Sequence, residues 1–218
     1  MEQIIKHLVK QFLYAFELMT SNNFNLIAPY YDRIARLVFG DGILESQKRL
    51  IDELEEAGEL LILGGGTGQV LSAVPLGCSI TYIEKSEKML QIALRKAPAL
   101  SIEFINRDFL EWETDKTYDF LFCPFFLDCF NHSNLSYVLS KCKKLLKTDG
   151  MLLVADFDCS NTNRLLNVLM HFFFKVFASL ESNKLKNIDA EIQKKGFLLQ
   201  KEDFFVRGMI FSRIYRNL

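Results

Sequence analysis

The hydrophobic pattern of this chain alternates between short, nearly continuous apolar runs and longer segments in which apolar residues recur at helical spacing. A short apolar run bounded by turn residues is typical of a strand buried on both faces of a parallel sheet. Five such runs predict strands at Leu60–Leu63, Ser79–Ile83, Ser101–Ile105, Tyr118–Phe122 and Met151–Phe157. Two further runs, 197–206 and 209–215, are joined at Arg207 and Gly208 and predict a closing hairpin.

Segments of helical period lie before and between these runs. They predict helices at 1–20, 25–37, 43–57, 69–74, 135–146 and 187–195, and one that opens within 85–90. Gly58 and Gly196 follow two of them as C-terminal stops. Strands that alternate with helices predict an α/β fold with a parallel sheet.

Glycine is concentrated immediately after the first predicted strand, in Gly64-Gly65-Gly66-Thr67-Gly68. A buried strand, a glycine-rich turn and a helix N-terminus together form a cradle for a nucleoside-type ligand. The dinucleotide fingerprint G-x-G-x-x-G would require glycine at position 69 or 71, where Gln69 and Leu71 stand. The sequence therefore has the spacing G-x-G-x-G, which disfavours a nicotinamide dinucleotide.

Glu84 lies at the carboxyl end of the second predicted strand, 20 residues after the first glycine. Ligands of open α/β sheets bind outside the carboxyl ends of the strands. A carboxylate has two acceptor oxygens, which suits the two hydroxyl donors of a ribose. The alternative is a solvated charge at a strand end.

Composition narrows the class of protein further. A chain of 218 residues, half of them hydrophobic, is long enough for one α/β domain with a sizeable core. The net charge of −1 gives no sign of a nucleic-acid surface. Five cysteines without a C-x-x-C pair or a nearby histidine at zinc spacing predict reduced thiols in a cytoplasmic protein and no metal site. We find no signal-peptide pattern at the N-terminus.

The glycine turn followed by Glu84 resembles motif I and the acidic position of the class I S-adenosylmethionine (SAM) methyltransferases. Ile27-Ala28-Pro29-Tyr30-Tyr31-Asp32 is similar to the N-terminal cap of small-molecule methyltransferases, and residues 145–154 are similar to the family signature before the fifth strand. The chain departs from the family at Ile62, where an acid often helps to hold the methionine end of SAM.

This resemblance covers roughly residues 25–216 and implies a fold. We expect a Rossmann-like three-layer sandwich with a seven-stranded, mostly parallel sheet and a C-terminal antiparallel hairpin. Residues 1–218 would form a single methyltransferase domain, with 1–57 as a helical cap and 58–218 as the Rossmann-like core.

The resemblance also implies which residues hold SAM. Glu84 would bind the ribose and Asp108 the adenine amino group, with the backbone of Phe109 beside the ring; Lys85 and Met89 would line the adenosine site. Asp108 as a turn or helix cap, and Tyr31 as a packing residue, remain open alternatives. The expected cofactor contacts are Gly64, Gly65, Gly66, Thr67, Gly68, Glu84, Lys85, Met89, Asp108, Phe109, Cys123 and Tyr31.

The loop after the fourth strand is where this family presents the methyl acceptor. It contains Cys123-Pro124-Phe125-Phe126 instead of the Asn/Asp-Pro-Pro-Tyr/Phe of enzymes that methylate amino groups in nucleic acid or protein. Phe125 and Phe126, with Tyr30 as a further candidate, predict an apolar wall. The catalytic residues are not identified; Asp128 and His132 are the acid/base candidates, although a loop and helix start at residues 131–133 is the better explanation of His132.

We therefore expect methyl transfer from SAM, with S-adenosylhomocysteine (SAH) as product, to a small, apolar or aromatic acceptor. Two alternatives remain open: a SAM-binding protein without methyl transfer, and, less favoured, a NAD-dependent oxidoreductase. The expected partner is a small molecule, with no nucleic acid, no integral membrane span and a monomeric or homodimeric state. Residues 164–180 are apolar nearly all round a helix, and fit a buried helix, a lid over the acceptor pocket, or a dimer or membrane-surface patch.

Overall fold

The computed structural model describes residues 24–54, 58–97, 100–158 and 187–218. The helix predicted at 1–20 and the apolar helix predicted at 164–180 lie outside the described residues.

The described part of the chain contains one mixed sheet of seven strands in the order β3-β2-β1-β4-β5-β7-β6. Strands β1 to β5 pair in parallel, and β7 runs antiparallel to both β5 and β6. This confirms the predicted mostly parallel sheet and its C-terminal antiparallel hairpin. The strands are β1 Gly58–Leu63, β2 Cys78–Ile83, β3 Ser101–Ile105, β4 Tyr118–Pro124, β5 Leu146–Phe157, β6 Phe197–Phe205 and β7 Ile210–Asn217.

Helices connect and flank these strands. Three of them begin at residues whose side-chain oxygens accept a hydrogen bond from the first turn, namely Ser86, Asn131 and Asn187. The helices are α1 Phe24–Phe39, α2 Gly42–Ile51, α3 Glu87–Leu94, α4 His132–Leu145 and α5 Ile188–Lys194, with 3₁₀ turns at Gln69–Ala73, Leu127–Cys129 and Val206–Gly208.

Alternate residues of the central strand face the two sides of the sheet. Leu61 and Leu63 pack into a cluster with residues of α4 and α5, whereas Leu60 and Ile62 pack with residues of α2 and α3. All four side chains are fully buried. Burial on both faces is the physical reason for the continuous apolar run and confirms the predicted three-layer arrangement.

Helix α1 contacts the rest of the molecule through both apolar and polar side chains. It contributes Ala35 and Phe39 to an apolar cluster with Phe157, Met209 and Ile210, and Phe24 packs against the same cluster. Its polar side chains reach the segments that follow β1 and β2. Helix α1 therefore crosses the carboxyl ends of the central strands.

Two element boundaries differ from the sequence prediction by five or six residues. Helix α2 ends at Ile51 instead of extending to 57, because the next backbone bonds are the i→i+3 type from Glu53 to Leu50 and from Leu54 to Ile51. Gly58, predicted as the stop of this helix, is the first residue of β1. Strand β5 begins at Leu146 instead of Met151, with Asp149 at a φ of +63° and a register shift opposite β4.

In the described segments, we find no helix with both the length and the apolarity needed to cross a membrane.

Candidate functional site

The glycine turn after β1 takes a backbone path that explains the spacing of its glycines. Gly64, Gly66 and Gly68 have φ values of +62°, +61° and +70°. This left-handed region is readily accessible to glycine and costs other residues energy. Every second residue of the turn therefore has to be glycine, which is the G-x-G-x-G pattern.

Aromatic rings support this turn from below. A Cβ atom at Gly65 would lie 2.3 Å from Cζ of Tyr82, and one at Gly64 would lie 2.5 Å from Cδ2 of Phe126. The Tyr82 hydroxyl donates to the carbonyl oxygen of Gly66 at 3.0 Å, and burial raises the pKa of this phenol well above its usual range. The rings of Tyr82 and Phe126 therefore pack against the turn and leave no room for side chains at Gly64 and Gly65.

Glu84 follows β2 and faces the same turn. The residue is 8% exposed, and its carboxylate accepts hydrogen bonds from the backbone N–H of Gly66 at 2.9 Å and of Ser86 at 2.7 Å. Burial raises the pKa of Glu84, whereas the backbone donors lower it. A carboxylate offers about four lone-pair sites, so after these two bonds it can still accept from two hydroxyl groups.

Asp108 lies after β3, on the far side of Glu84 from the turn. One of its oxygens accepts from the backbone N–H of Leu110 at 2.9 Å, and the other is 2.8 Å from Nζ of Lys85. Asn106 donates to the carbonyl oxygens of Glu84 and Lys85 and so ties the ends of β2 and β3 together. The turn-cap alternative for Asp108 is therefore realised, and the same side chain also lines the cavity.

A cavity of about 470 Å³ opens at the carboxyl ends of the strands. Its size falls in the range of small-molecule sites. It brings together residues from the glycine turn, from the ends of β2, β3 and β4, and from α1. The predicted site residues that line it are Tyr31, Gly64, Gly65, Gly66, Thr67, Glu84, Lys85, Met89, Asp108, Phe109, Phe125 and Phe126.

Helix α1 contributes two polar cavity residues that were not predicted, Asn25 and Asp32. The Asn25 side-chain oxygen accepts from the Ser86 hydroxyl at 2.7 Å and from the Lys88 backbone N–H at 3.1 Å. Asp32 accepts from the Thr67 hydroxyl at 2.6 Å. The two residues are seven positions apart and share one helix face, which is the signal that could have identified them.

One end of the cavity is walled by aromatic side chains. Phe126 makes edge contacts with Phe109 and Phe130, at ring centroid distances of 6.0 and 4.9 Å. Phe125 packs on Phe157 at 4.9 Å. Edge and tilted ring contacts of this kind add to the stabilisation from burial.

Two titratable side chains, Tyr31 and Cys129, line the cavity together with this wall. Burial raises the pKa of Tyr31, and the nearby Cys129, Asp128 and Asp32 raise it further. Burial also raises the pKa of the Cys129 thiol well above its usual range, and the Asp128 charge adds to this. Both groups are therefore protonated near neutral pH, and the Cys129 thiol donates to the carbonyl oxygen of Phe125 at 3.7 Å.

Several predicted site residues do not line the cavity. Cys123 is fully buried in the core cluster beside Cys142, and Pro124 takes the place at the strand end because adjacent residues of a strand face opposite sides. The side chain of Tyr30 points to solvent, with 59% of the residue exposed. Gly68 faces away from the cavity, and a Cβ atom there would lie 2.8 Å from Cδ1 of Leu71 and 2.9 Å from Cβ of Ala93.

The acid/base candidates also lie away from the cavity lining. His132 begins α4, its side chain is 72% exposed, and its Nε2 is 3.6 Å from the carboxylate of Glu191. Asp128 belongs to the 3₁₀ turn Leu127–Cys129, and its backbone N–H donates to the buried carboxylate of Asp156 at 3.2 Å. His132 is the first residue of α4, in agreement with the helix start predicted for this segment.

Comparison with known proteins identifies the chemistry of this arrangement. Residues 60–150 match a family model described as a methyltransferase domain. Demethylmenaquinone methyltransferase from Thermotoga maritima is 28% identical over 160 residues, which are 71% of this chain and 68% of the relative.

Solved structures share the fold. A SAM-dependent methyltransferase from Thermotoga maritima has a TM-score of 0.64 at 20% identity, covering 89% of this chain and 98% of its own. The 1,6-didemethyltoxoflavin N1-methyltransferase of Burkholderia thailandensis, solved with its acceptor and SAH, has a TM-score of 0.62 at 12% identity, covering 88% of this chain and 84% of its own.

Proposed function

We propose that this chain is a SAM-dependent methyltransferase of class I, as its match to a methyltransferase domain and its methyltransferase relative indicate, and that its acceptor is a small, apolar or aromatic molecule bound against Phe125 and Phe126. The observation that carries this proposal is the aromatic wall of the cavity, to which Phe130 contributes as well.

The other end of the cavity fits the cofactor. The glycine turn offers backbone at a place where a Cβ would collide, and Glu84 has acceptor capacity left for ribose hydroxyls. Asp108 and Phe109 lie where the adenine would reach the end of β3. SAM supplies a methyl group on a positively charged sulfur, which makes the methyl carbon electrophilic.

Orientation and exclusion of water are then the main tasks of the protein. Helix α1 covers the cavity through Asn25 and Asp32, and Met89 fills the space beside Gly66. The aromatic wall presents a flat apolar acceptor to the methyl carbon. Tyr31 and Cys129 do not take the proton of the acceptor near neutral pH, because burial raises the pKa of both groups and their own protons are retained.

One relative supports the class of acceptor, since it is named for demethylmenaquinone. We further propose a cytoplasmic location, in keeping with the thiols of Cys78, Cys123 and Cys142, which are buried and unbridged.

A series of acceptors with a constant nucleophilic group and growing apolar surface tests the proposal. Catechols and anilines with methyl, propyl and pentyl side chains would be offered with SAM, and SAH formation would be measured. Each buried methylene contributes about 0.8 kcal/mol, so kcat/KM should rise roughly fourfold per carbon until the cavity is filled. Phe126→Ala should flatten this rise.

The matched control is Phe204→Ala, which removes a half-exposed ring on β6, away from the cavity. This variant should keep the wild-type dependence on chain length. Turnover of small polar amines, with no gain from added carbons, would show that the wall does not select an apolar acceptor.

A further inference from the structure

The amino-acid end of SAM carries an ammonium group that needs an anionic or polar partner. In this chain, the position that is often acidic before motif I is Ile62, which is fully buried among Leu50, Ile51 and other apolar residues. Ile62 can make no hydrogen bond to an ammonium. Another group of the cavity has to take this role if SAM binds in the proposed orientation.

Three carboxylates line the cavity within the described residues, and each has a different place. Glu84 lies beyond Gly66 and Asp108 at the end of β3, toward the adenosine end. Asp32 comes from α1 and accepts a hydrogen bond from Thr67, inside the glycine turn. Asp32 is thus the carboxylate at the turn that is not already matched to the nucleoside.

The electrostatic surroundings agree with this placement. Burial raises the pKa of Tyr82, whose hydroxyl lies at Gly66, and the charges of Glu84 and Asp32 raise it further. The two carboxylates therefore flank the glycine turn from different elements. A ligand lying along the turn would pass Glu84 and then reach Asp32.

Asp32 already holds a primary ammonium group. Nζ of Lys96 lies 3.0 Å from Oδ2 of Asp32, and the same Nζ is 3.4 Å from the Thr67 hydroxyl. This shows that the carboxylate is placed to form charge-assisted hydrogen bonds with an N–H donor. The Lys96 side chain is one-third exposed and flexible, so it can yield its place to a ligand.

We infer that Asp32 receives the ammonium group of SAM, in the role that the absent acid at position 62 would have. The carboxylate reaches the ligand from the cap helix instead of from β1. The cofactor would then contact the cap helix as well as the glycine turn. The inference rests on the proposed placement of the cofactor in this cavity.

Two ligands isolate the ammonium contact. SAH carries the ammonium group, whereas its desamino analogue keeps the adenosine, the sulfur and the carboxylate and lacks only that group. Dissociation constants for both would be measured by calorimetry on the wild type and on Asp32→Asn. Asparagine keeps an acceptor for the Thr67 hydroxyl and removes the charge, so the hydrogen bond between α1 and the glycine turn is preserved.

The wild type should prefer SAH over the desamino analogue by about tenfold or more, a factor that corresponds to 1.4 kcal/mol. Asp32→Asn should lose this preference and bind the desamino analogue as the wild type does. Lys96→Met should increase the preference, because it removes the competing ammonium. Glu45→Gln, which removes an exposed charge from α2, is the matched control and should leave the preference unchanged.

Equal weakening of both ligands by Asp32→Asn would show that Asp32 only fixes the cap helix, and would overturn the inference. An unchanged preference in Asp32→Asn would overturn it as well. In both cases SAH still binds the wild type, so the cofactor site stands. If neither ligand binds the wild type, the proposed placement of the cofactor fails and this inference fails with it.

Discussion

At the scale of single residues, the cofactor end of the cavity depends on a carboxylate that is both buried and charged. Glu84 is kept in place by the backbone N–H groups of Gly66 and Ser86. These donors favour the charged form, whereas burial favours the neutral form and raises the pKa. The pKa of Glu84 is therefore higher than that of an ordinary glutamate.

Glu84→Gln should weaken SAH binding by about ten- to a hundredfold, because each hydrogen bond to a charged group contributes about 1.5–3 kcal/mol. In the wild type, SAH affinity should also fall as the pH is lowered through the raised pKa of Glu84, above the usual value of about 4.3. The Gln variant should show no such dependence. Calorimetric titrations across pH 5 to 8 measure both effects.

The matched control is Glu87→Gln, which makes the same change in the exposed first turn of α3. Its SAH affinity should equal that of the wild type. Equal losses in the two variants would mean that general charge, and not the ribose contact, accounts for the effect.

At the scale of elements, α1 is held to the cavity rim by polar contacts in addition to its apolar packing. Ala35 and Phe39 belong to an apolar cluster, and Phe24 packs against the same cluster. Asn25 and Asp32 join the helix to the cavity rim through hydrogen bonds. Polar contacts at a partly exposed site contribute only about 1 kcal/mol each, so the loss of one leaves the apolar packing of α1 in place.

Asn25→Ala removes the two hydrogen bonds to Ser86 and Lys88. We expect a three- to tenfold loss of SAH affinity, from roughly 1 kcal/mol of lost hydrogen bonding. The melting temperature without ligand should change little, because the apolar anchor of α1 remains. Calorimetry and a thermal melt on the same sample provide the two readings.

Arg36→Ala is the comparison within the same helix, since this side chain is 74% exposed and pairs with Asp41 at the far end of α1. It should leave SAH affinity unchanged. If Asn25→Ala bound SAH as tightly as the wild type, the hydrogen bonds of Asn25 would have no part in SAH binding.

At the scale of the whole molecule, buried carboxyl groups determine how stability depends on pH. Burial raises the pKa of both Glu84 and Asp156, and the Asp128 charge raises that of Asp156 further. In the unfolded chain both groups lose their protons near pH 4. Between that pH and the raised pKa the native state holds the extra protons, so stability falls as the pH rises through this window.

The free energy of unfolding, measured by urea titration from pH 5 to 8, should therefore be highest in weakly acidic solution and decline toward pH 8. For each proton that the native state holds and the unfolded state has lost, the free energy of unfolding falls by about 1.4 kcal/mol per pH unit. Asp156→Asn should flatten the decline, because asparagine does not ionise. The partly buried, paired carboxylates Glu53 and Glu191 have lowered pKa values, so they affect stability only at lower pH.

A stability that rises from pH 5 to pH 8 in the wild type would contradict this account. So would a decline of the same size in wild type and Asp156→Asn. Either result would mean that Asp156 is ionised in the native state throughout the range.

The sequence alone determined the sheet, the glycine turn and Glu84. Their signals are local: continuous apolar runs arise from burial on both faces, and the G-x-G-x-G spacing arises from a turn in which every second φ is positive. The carboxyl ends of parallel strands meet at one edge, so residues just after β1, β2 and β3 were placed together correctly.

Only the tertiary structure decided which neighbours of these residues reach the cavity. Cys123 and Pro124 are adjacent, yet only Pro124 lines it, because the pleat sends Cys123 into the core. Asn25 and Asp32 became site residues through the docking of α1, which depends on the distant apolar contacts of Phe39 with Phe157 and Met209. Such contacts join segments far apart in the chain, and no local pattern encodes them.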